Sequence, residues 1–307
     1  MNKIRVALGM IHYPVAMGRW FIEAFEDRDD VELWTFGPYT GNYIPWMYGM
    51  QLPQKYVKEP NFPLPRSSIE THTFPARMID MQMPWKPDLL IQIDAGWHLD
   101  SRPNANIVAH IQTDPHVLKG FYKFPKTYSD LKFSMQHHYM ESDELYLPYA
   151  YSKRHHYPMN LEKTTDVCMI GLQYPTRMML AEHLRRMDVN VNITTGIVYD
   201  EYREAYNHSK IALTWSTMLD LPARTWEGMA MKLPVITNRV PDLGNFFVEE
   251  EHSLGFDTEA EAIKQVLKVL SDPTNASEMA NNAYRKVLNY HSYDARVTQI
   301  LETARLI

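Results

Sequence analysis

The chain has 307 residues, of which 45% are hydrophobic and 22% are charged, a balance typical of globular proteins and different from disordered or fibrous chains. Its formal net charge of −6 argues against a surface built mainly to bind a polyanion such as a nucleic acid. This length predicts two α/β domains of about 150 residues each rather than one core.

No apolar run approaches the roughly 20 residues that a membrane-spanning helix needs, so we expect no membrane span. The N-terminal sequence MNKIRVALGM lacks a small-residue cleavage site and is interpreted as a first strand. The single cysteine, Cys168, excludes an internal disulfide and is typical of a reducing compartment. The sequence therefore predicts a cytoplasmic protein.

The first half of the chain alternates strands with helices. The run DLLIQID at 88–94 is apolar throughout, as in a parallel strand that is covered on both faces. Strands separated by helices predict right-handed crossovers and a doubly wound sheet. The predicted elements of this half are strands at 3–10, 31–37, 88–94, 107–114, 131–136 and 145–151, and a helix at 18–27.

The regular pattern stops between residues 38 and 72, where prolines alternate with tyrosines and a tryptophan. A long segment without secondary structure is uncommon inside a compact domain and is often functional. Trp46 and Tyr48 in this segment are candidates for contacting an acceptor molecule. A packed surface loop without a binding role is the alternative, and the sequence leaves both open.

The second half of the chain is more regular. The polar stretch 153–163 predicts a domain boundary, with domains at 1–155 and 156–290 followed by a final helical segment at 291–307. The predicted elements of this half are strands at 166–171, 189–195, 210–216 and 234–238, and helices at 176–187, 200–208, 222–231, 258–271, 276–289 and 293–306.

The strongest local motif is RTWEGMAMKLPVITN at 224–238, which predicts a short helix carrying an acid, a tight turn and a buried strand. Ligands of open α/β sheets bind outside the carboxyl ends of the strands. Glu227 at such a place could accept two hydrogen bonds from the cis-diol of a ribose. Arg224 lies three residues earlier on the same helix face. The alternative is a solvent-exposed ion pair between the two, without a function.

This stretch resembles the second half of group 1 glycosyltransferases with the GT-B fold. In that motif a helix carrying Glu-x-Met-Ala leads into a strand with the pattern Gly/Lys-x-Pro-Val-Ile, as at 227–236. Within that group the sequence is most similar to the spore-maturation-protein (CgeB-like) branch. The likeness is looser in the first half of the chain, at 87–94, 113–116 and 147–150. In the second half it rests on DVCMIG at 166–171, on Arg177, on RTWE at 224–227, on Thr237 and Asn238, and on DLGNFF at 242–247.

The resemblance implies an α/β protein of GT-B type, with two Rossmann-like doubly wound domains facing a central cleft. The N-terminal domain would hold the acceptor and the C-terminal domain the nucleotide-sugar, and the C-terminal helix would cross back to the N-terminal domain. It also implies a glycosyltransferase that moves a sugar from a nucleotide diphosphate to an acceptor hydroxyl, and a UDP-sugar is the expected donor. The nucleotide-sugar is a co-substrate, and no other cofactor is expected.

The same resemblance assigns the donor site. Glu227 would bind the ribose, Gly171 would let the backbone approach the diphosphate, and Arg177 and Arg224 would neutralise it. Thr225 and Asn238 belong to the same motif and are counted with the donor site. Cations and helix N-terminal N–H groups stabilise a departing diphosphate without a metal, so no metal site is expected.

One position departs from the family pattern. Many retaining members carry a second glutamate eight residues before the ribose-binding one, where this chain has Leu219. The stereochemical outcome of transfer is therefore left open.

Candidates for chemistry on the acceptor lie in the first half. Asp94 and Asp114 each end an apolar strand, and His116 follows closely, so these groups could deprotonate or orient an acceptor hydroxyl. The alternative for both aspartates is to cap the following turn. His12, after the first strand, is a further acceptor-side candidate. The histidine pairs at 137–138 and 155–156 lack the spacing of a zinc site and are expected at the surface.

Two other functions stay open. The acceptor could be a hydroxymethylated DNA base, for which the aromatic segment is suitable and the negative net charge is unfavourable. The chain could instead be a non-catalytic nucleotide- or partner-binding module on the same fold. The joint presence of Arg177, Arg224 and Glu227 favours an enzyme. The sequence does not identify the sugar or the acceptor, which could be a glycan, a small molecule or a modified DNA base.

Overall fold

The computed structural model describes residues 3–41, 43–44, 50–51, 56, 58–65 and 72–307. Contacts divide the chain into two compact units, Met1–Pro148 together with Tyr293–Ile307, and Tyr149–Ser292. We call them the N-terminal and the C-terminal unit. The break at Pro148 lies a few residues before the predicted boundary at 155. Among the described residues no helix combines the length and the apolar character needed to cross a membrane.

The N-terminal unit contains the first eleven strands and the first four helices of the described residues. The strands are β1 (Ile4–Gly9), β2 (Val31–Pro38), β3 (Tyr43–Ile44), β4 (Met50–Gln51), β5 (Phe62–Leu64), β6 (His72–Phe74), β7 (Leu89–Ile93), β8 (Trp97–Leu99), β9 (Ile107–Gln112), β10 (Leu131–Ser134) and β11 (Leu145–Tyr146). The helices are α1 (Gly18–Glu26), α2 (Ala76–Gln82), α3 (Pro115–Leu118) and α4 (Lys123–Tyr128).

Seven of these strands form one sheet in the order β11-β10-β9-β7-β1-β2-β5, and every neighbouring pair is parallel. The direction of winding reverses at β1, which has β2 on one side and β7 on the other. Ligands of such sheets bind outside the carboxyl ends of the strands at the reversal. Here those ends are Gly9 and Ile93; the candidate Asp94 follows Ile93 directly, and His12 lies in the segment after Gly9.

The C-terminal unit is a second doubly wound sheet, with five parallel strands in the order β13-β12-β14-β15-β16. Its winding reverses between β12 and β14, whose carboxyl ends are Ile170 and Thr214. The prediction of two parallel, Rossmann-like sheets is thereby confirmed. The elements are β12 (Thr165–Ile170), α5 (Pro175–Arg185), β13 (Val191–Thr194), α6 (Tyr199–Asn207), β14 (Ser209–Thr214), α7 (Ala223–Ala230), β15 (Val235–Asn238), β16 (Leu254–Phe256), α8 (Glu259–Ser271) and α9 (Pro273–Tyr290).

The last helix, α10 (Tyr293–Thr303), belongs to the N-terminal unit. It packs on α1, where the rings of Phe21 and Tyr293 meet edge to face at 5.1 Å. The buried guanidinium of Arg296 donates from Nε to the carbonyl oxygen of Pro148 at 2.7 Å, and Gln299 donates to the carbonyl of Tyr146 at 2.8 Å. These bonds tie α10 to the end of the N-terminal sheet.

The segment at 38–72 contains short strands where the sequence predicted none. Residues Phe62–Leu64 form β5, which extends the sheet in parallel beside β2. The Asn61 side chain accepts the backbone N–H of Thr35 at 2.8 Å, and the rings of Trp34 and Phe62 stack at 6.4 Å. A proline within so short a run conceals the strand, because proline is tolerated only at a sheet edge. The acceptor candidates Trp46 and Tyr48 lie outside the described residues.

Candidate functional site

Gly171 lies at the reversal of the C-terminal sheet, directly after β12. Its backbone has a φ of 140°, a conformation that residues with side chains rarely adopt. A Cβ at this position would lie 3.3 Å from Nη1 of Arg177 and 3.3 Å from Cζ of Arg224. Glycine therefore allows two guanidinium groups to approach the end of the strand together.

Arg177, in the first turn of α5, is buried and fixed by backbone carbonyls. Its Nε donates to the carbonyl oxygen of Trp215 at 2.9 Å, and its Nη1 donates to that of Leu172 at 2.8 Å. The guanidinium also lies over the ring of Tyr174, 5.1 Å from its centroid. Burial, and then the charge of Arg224, lower the pKa of Arg177 to about 10. Arg177 thus joins the ends of β12 and β14 while remaining a cation at neutral pH.

Arg224, in the first turn of α7, is partly buried. Within the described part of the chain it forms no ion pair or hydrogen bond, and in particular none with Glu227. The simple ion pair considered from the sequence is therefore absent. Two guanidinium groups beside one glycine make a site suited to a diphosphate, because guanidinium groups bind phosphate oxygens in a bidentate manner.

Glu227 follows one turn later on α7 and is only 7% exposed. The hydroxyl of Tyr202, on α6, donates to its Oε2. The Nε2 of His156 lies 3.7 Å from its Oε1. The Nδ1 of His156 accepts the backbone N–H of Ser152 at 3.0 Å, so the neutral imidazole carries its proton on Nε2, towards the carboxylate.

The surface position predicted for His156 is wrong, since this residue is 4% exposed. Its ring packs against that of Tyr202, with centroids 5.8 Å apart, which explains the burial of a residue from a polar stretch. The pair His137 and His138 is exposed, as predicted.

Two further residues of the predicted donor motif, Asn238 and Thr225, are buried in the C-terminal unit. The Asn238 side chain, at the end of β15, accepts the N–H of Ser216 at 2.7 Å and donates to its carbonyl at 3.1 Å. This fixes the segment after β14 that supplies the Trp215 carbonyl to Arg177. Thr225 is fully buried, and its Oγ1 has no partner among the described residues. A fully buried hydroxyl does not suit a direct contact with a donor.

Asp94 lies at the reversal of the N-terminal sheet with a left-handed φ of 72°. Its Oδ2 is buried and has no hydrogen-bond partner among the described residues. Burial raises the pKa of Asp94 to about 7; the charge of Asp114 adds to the rise, while hydrogen bonding to Thr113 and the charge of Arg19 oppose it. An acid with this pKa can exchange protons near neutral pH.

Asp114 and Thr113 adjoin Asp94. The Thr113 hydroxyl donates to Oδ2 of Asp114 at 3.1 Å, and the Asp114 backbone N–H donates to the hydroxyl of buried Tyr122 at 3.1 Å. Asp114 precedes α3, and its side chain makes no capping hydrogen bond to that helix. The structure thus brings the two candidate carboxylates together around one threonine.

The two candidate histidines have different surroundings. The ring of His116 lies 5.6 Å from that of Tyr139. His12 is buried, and its Nε2 donates to the carbonyl of Phe36 at 2.9 Å, which joins the segment after β1 to β2. Burial lowers the pKa of His12 to about 4, although the bond to Phe36 opposes this, so the ring is neutral at physiological pH. Its role on the acceptor side stays a prediction.

Sequence reasoning did not find Tyr202 or Tyr122, and it included Thr113 only as part of the motif at 113–116. A signal for Tyr202 was present, because Tyr199, Tyr202 and Tyr206 recur at helical spacing on α6 and so mark one aromatic face.

Comparison with known proteins agrees with this architecture. Residues 156–302 match a family model described as glycosyl transferase-like. Among solved structures, HepE from Anabaena in complex with UDP and glucose has a TM-score of 0.68 at 8% identity, covering 99% of this chain and 100% of that one. A glycosyltransferase from Rickettsia africae ESF-5 has a TM-score of 0.65 at 12% identity, covering 100% and 99%.

Sucrose-phosphate synthase from Thermosynechococcus elongatus has a TM-score of 0.61 at 13% identity and covers 99% of both chains. A comparison with curated protein sequences finds no significant match. At such low sequence identity, the structural likeness shows a shared fold and nothing about the reaction. The chain has the α/β fold of GT-B glycosyltransferases, with two Rossmann-like sheets, and its residues 156–302 are similar to the glycosyl transferase-like family.

Proposed function

We propose that this protein is a glycosyltransferase that moves a sugar from a UDP-sugar to an acceptor hydroxyl. The observation that carries the proposal is the pair of guanidinium groups of Arg177 and Arg224 beside Gly171, at the carboxyl ends of the strands where the C-terminal sheet reverses. The glycosyl transferase-like match over the same residues supports it, as do the short motifs shared with the CgeB-like branch.

In this reaction the bond between the sugar C1 and the diphosphate oxygen breaks, and a bond forms between C1 and the acceptor oxygen. The departing diphosphate gains negative charge, which Arg177 and Arg224 stabilise. Cations held in place before the reaction do this without reorganisation at the moment of bond breaking. Glu227 would bind the donor ribose and thereby fix the diphosphate relative to both arginines.

The acceptor hydroxyl must lose its proton as the new bond forms. We assign this proton to Asp94, because its carboxyl is buried at the N-terminal reversal and its pKa is raised to about 7. Asp114 and His116 are the alternative bases. The products are the glycosylated acceptor, UDP and one proton.

The test is a thermal-shift screen with UDP-, GDP-, ADP- and dTDP-sugars, followed by measurement of free nucleoside diphosphate. UDP-sugars are expected to stabilise the protein most, since the complex of HepE holds UDP on the same fold. A ligand at about 100 times its Kd stabilises the native state by roughly 2.7 kcal/mol, which is a readable shift. Stabilisation without release of diphosphate, across a range of acceptors, would indicate a binding module. No stabilisation by any donor would contradict the proposal.

Activity is expected to persist in excess EDTA, because two guanidinium groups and helix N–H groups supply the charge that a metal would otherwise supply. UDP release should be quantified by chromatography, so that no metal-dependent coupling enzyme enters the assay. A complete loss of activity that Mg²⁺ or Mn²⁺ restores would show that the two arginines do not suffice for the leaving group.

A further inference from the structure

The carboxylate of Glu227 is held by residues that lie far from it in the sequence. We propose that Tyr202 and His156 are positioning residues, which orient Glu227 so that it accepts hydrogen bonds from the ribose hydroxyls of the donor. This inference rests on the proposed function and names the device by which the donor site would select a ribonucleotide over a deoxyribonucleotide.

Tyr202 is the stronger of the two partners. A buried carboxylate is costly unless it is hydrogen-bonded, and the Tyr202 hydroxyl donates to its Oε2. Burial, and then the charge of Glu227, raise the pKa of Tyr202 well above its usual value. The hydroxyl therefore stays protonated, and a donor, over the whole working range of pH.

His156 contacts the other oxygen of the carboxylate. Because its Nδ1 accepts a backbone N–H from Ser152, the proton on Nε2 faces Oε1, 3.7 Å away. Tyr202 and His156 thus address one oxygen each. The hydrogen bond to one oxygen and the weaker polar contact to the other restrict rotation of the carboxylate, and two adjacent hydroxyl groups of a sugar need its plane fixed if both are to bond to it.

The segment that carries His156 is itself attached to α6. The ring of His155 packs on that of Tyr199 at 5.0 Å, and the guanidinium of Arg203 lies over the ring of Tyr157 at 4.5 Å. The backbone N–H of Met159 donates to the Asn207 side chain at 2.7 Å. These contacts follow one face of α6 over two turns, so both partners of Glu227 belong to one packed block. Because the Glu227 carboxylate is already held in place, less conformational entropy is lost when a ligand binds to it.

The experiment compares the Kd of UDP with that of 2′-deoxy-UDP by calorimetry, for the wild type, Glu227→Gln and Tyr202→Phe. A hydrogen bond to a charged acceptor should give the wild type a preference for UDP of about tenfold or more. Glu227→Gln should abolish most of this preference. Tyr202→Phe should reduce it about threefold to tenfold, with little effect on 2′-deoxy-UDP.

The control is Tyr284→Phe. This variant removes a tyrosine hydroxyl from α9 of the same unit instead of from α6, where Tyr202 and Tyr206 pack on each other with ring centroids 4.9 Å apart. Its preference for UDP should equal that of the wild type. A second pair of variants does not depend on Tyr202: His156→Gln keeps an N–H donor near the position of Nε2 and should retain the preference, whereas His156→Ala should lose part of it.

The outcomes separate the two proposals. A wild type without a preference for UDP, or a Glu227→Gln variant that keeps it, would contradict the ribose assignment in the proposed function. If Glu227→Gln loses the preference while Tyr202→Phe keeps it, the positioning role is wrong and the ribose assignment stands. If Tyr202→Phe weakens both ligands equally, Tyr202 is only structural, and the positioning role is again overturned.

Discussion

Replacing Asp94 with asparagine is expected to reduce sugar transfer by about a hundredfold or more, while UDP binding changes little. A positioned general base typically contributes on the order of 10²–10⁴ to a rate, and an amide of the same shape cannot accept the proton. The rate should be measured as UDP release in the presence of acceptor, and UDP binding by thermal shift. The control is Asp29→Asn, which removes an exposed carboxylate from the same unit.

The pH dependence should identify the same group. Because burial raises the pKa of Asp94 to about 7, the ionised base, and with it kcat/KM, should increase as the pH rises through neutrality. Asp94→Asn should lose this rise. If the variant keeps both its activity and its pH profile, Asp114 or His116 is the base instead.

Asp94→Asn should lower the transfer activity but raise the thermal stability at alkaline pH. The folded-state pKa lies above the unfolded one, so the contribution of Asp94 to the free energy of unfolding is present at low pH and is lost as the pH rises through about 7. Asp94→Asn should therefore melt at least a few degrees higher than the wild type at pH 8, by the usual relation of free energy to Tm. The two proteins should melt together near pH 4. Equal melting at both pH values would show that Asp94 is not buried as a charge.

The sequence predicts the central strands well because both faces of a parallel sheet are buried. The apolar runs at 88–94 and 166–171 correspond to β7 and β12 with shifts of one residue. Strands of this kind are recognisable because burial on both faces makes them apolar throughout. The edge strands β5 and β16 were missed. Each has three residues, with a proline or a glycine inside, so their pairing depends on neighbours distant in the sequence.

The proposed donor site also contains residues that the sequence reveals and residues that it conceals. Gly171, Arg177 and Arg224 are recognisable from short motifs, and the structure brings these three together. Tyr202 and His156 contact Glu227 from 25 and 71 positions away in the sequence (227 − 202 and 227 − 156). The periodicity of a sequence indicates neighbours within one helix or strand and does not reveal contacts over such distances. His156 was misplaced because a polar stretch is typical of a surface, whereas ring packing on α6 buries it.

Replacing Arg224 with methionine is expected to weaken UDP binding about tenfold to a hundredfold, the cost of one hydrogen bond between charged groups. The loss in transfer rate should be larger, on the order of 10²–10³, because negative charge on the departing diphosphate grows in the transition state. Binding is measured by calorimetry and transfer by UDP release. Arg224→Lys restores the charge without the bidentate geometry and should recover part of both.

The ligand-free Arg224→Met variant should be at least as stable as the wild type. After burial, the charge of Arg224 is the next cause of the lowered pKa of Arg177, so the two cations repel each other until an anion lies between them. Removing one of them relieves that repulsion, and the rise in Tm caused by UDP should shrink correspondingly. The control is Arg186→Met, directly after α5, where the arginine side chain is 68% exposed and pairs with Glu182 at 3.3 Å. It should match the wild type in UDP binding. If Arg224→Met binds UDP normally and its ligand-free form melts earlier, Arg224 holds the fold, and the diphosphate must be bound elsewhere.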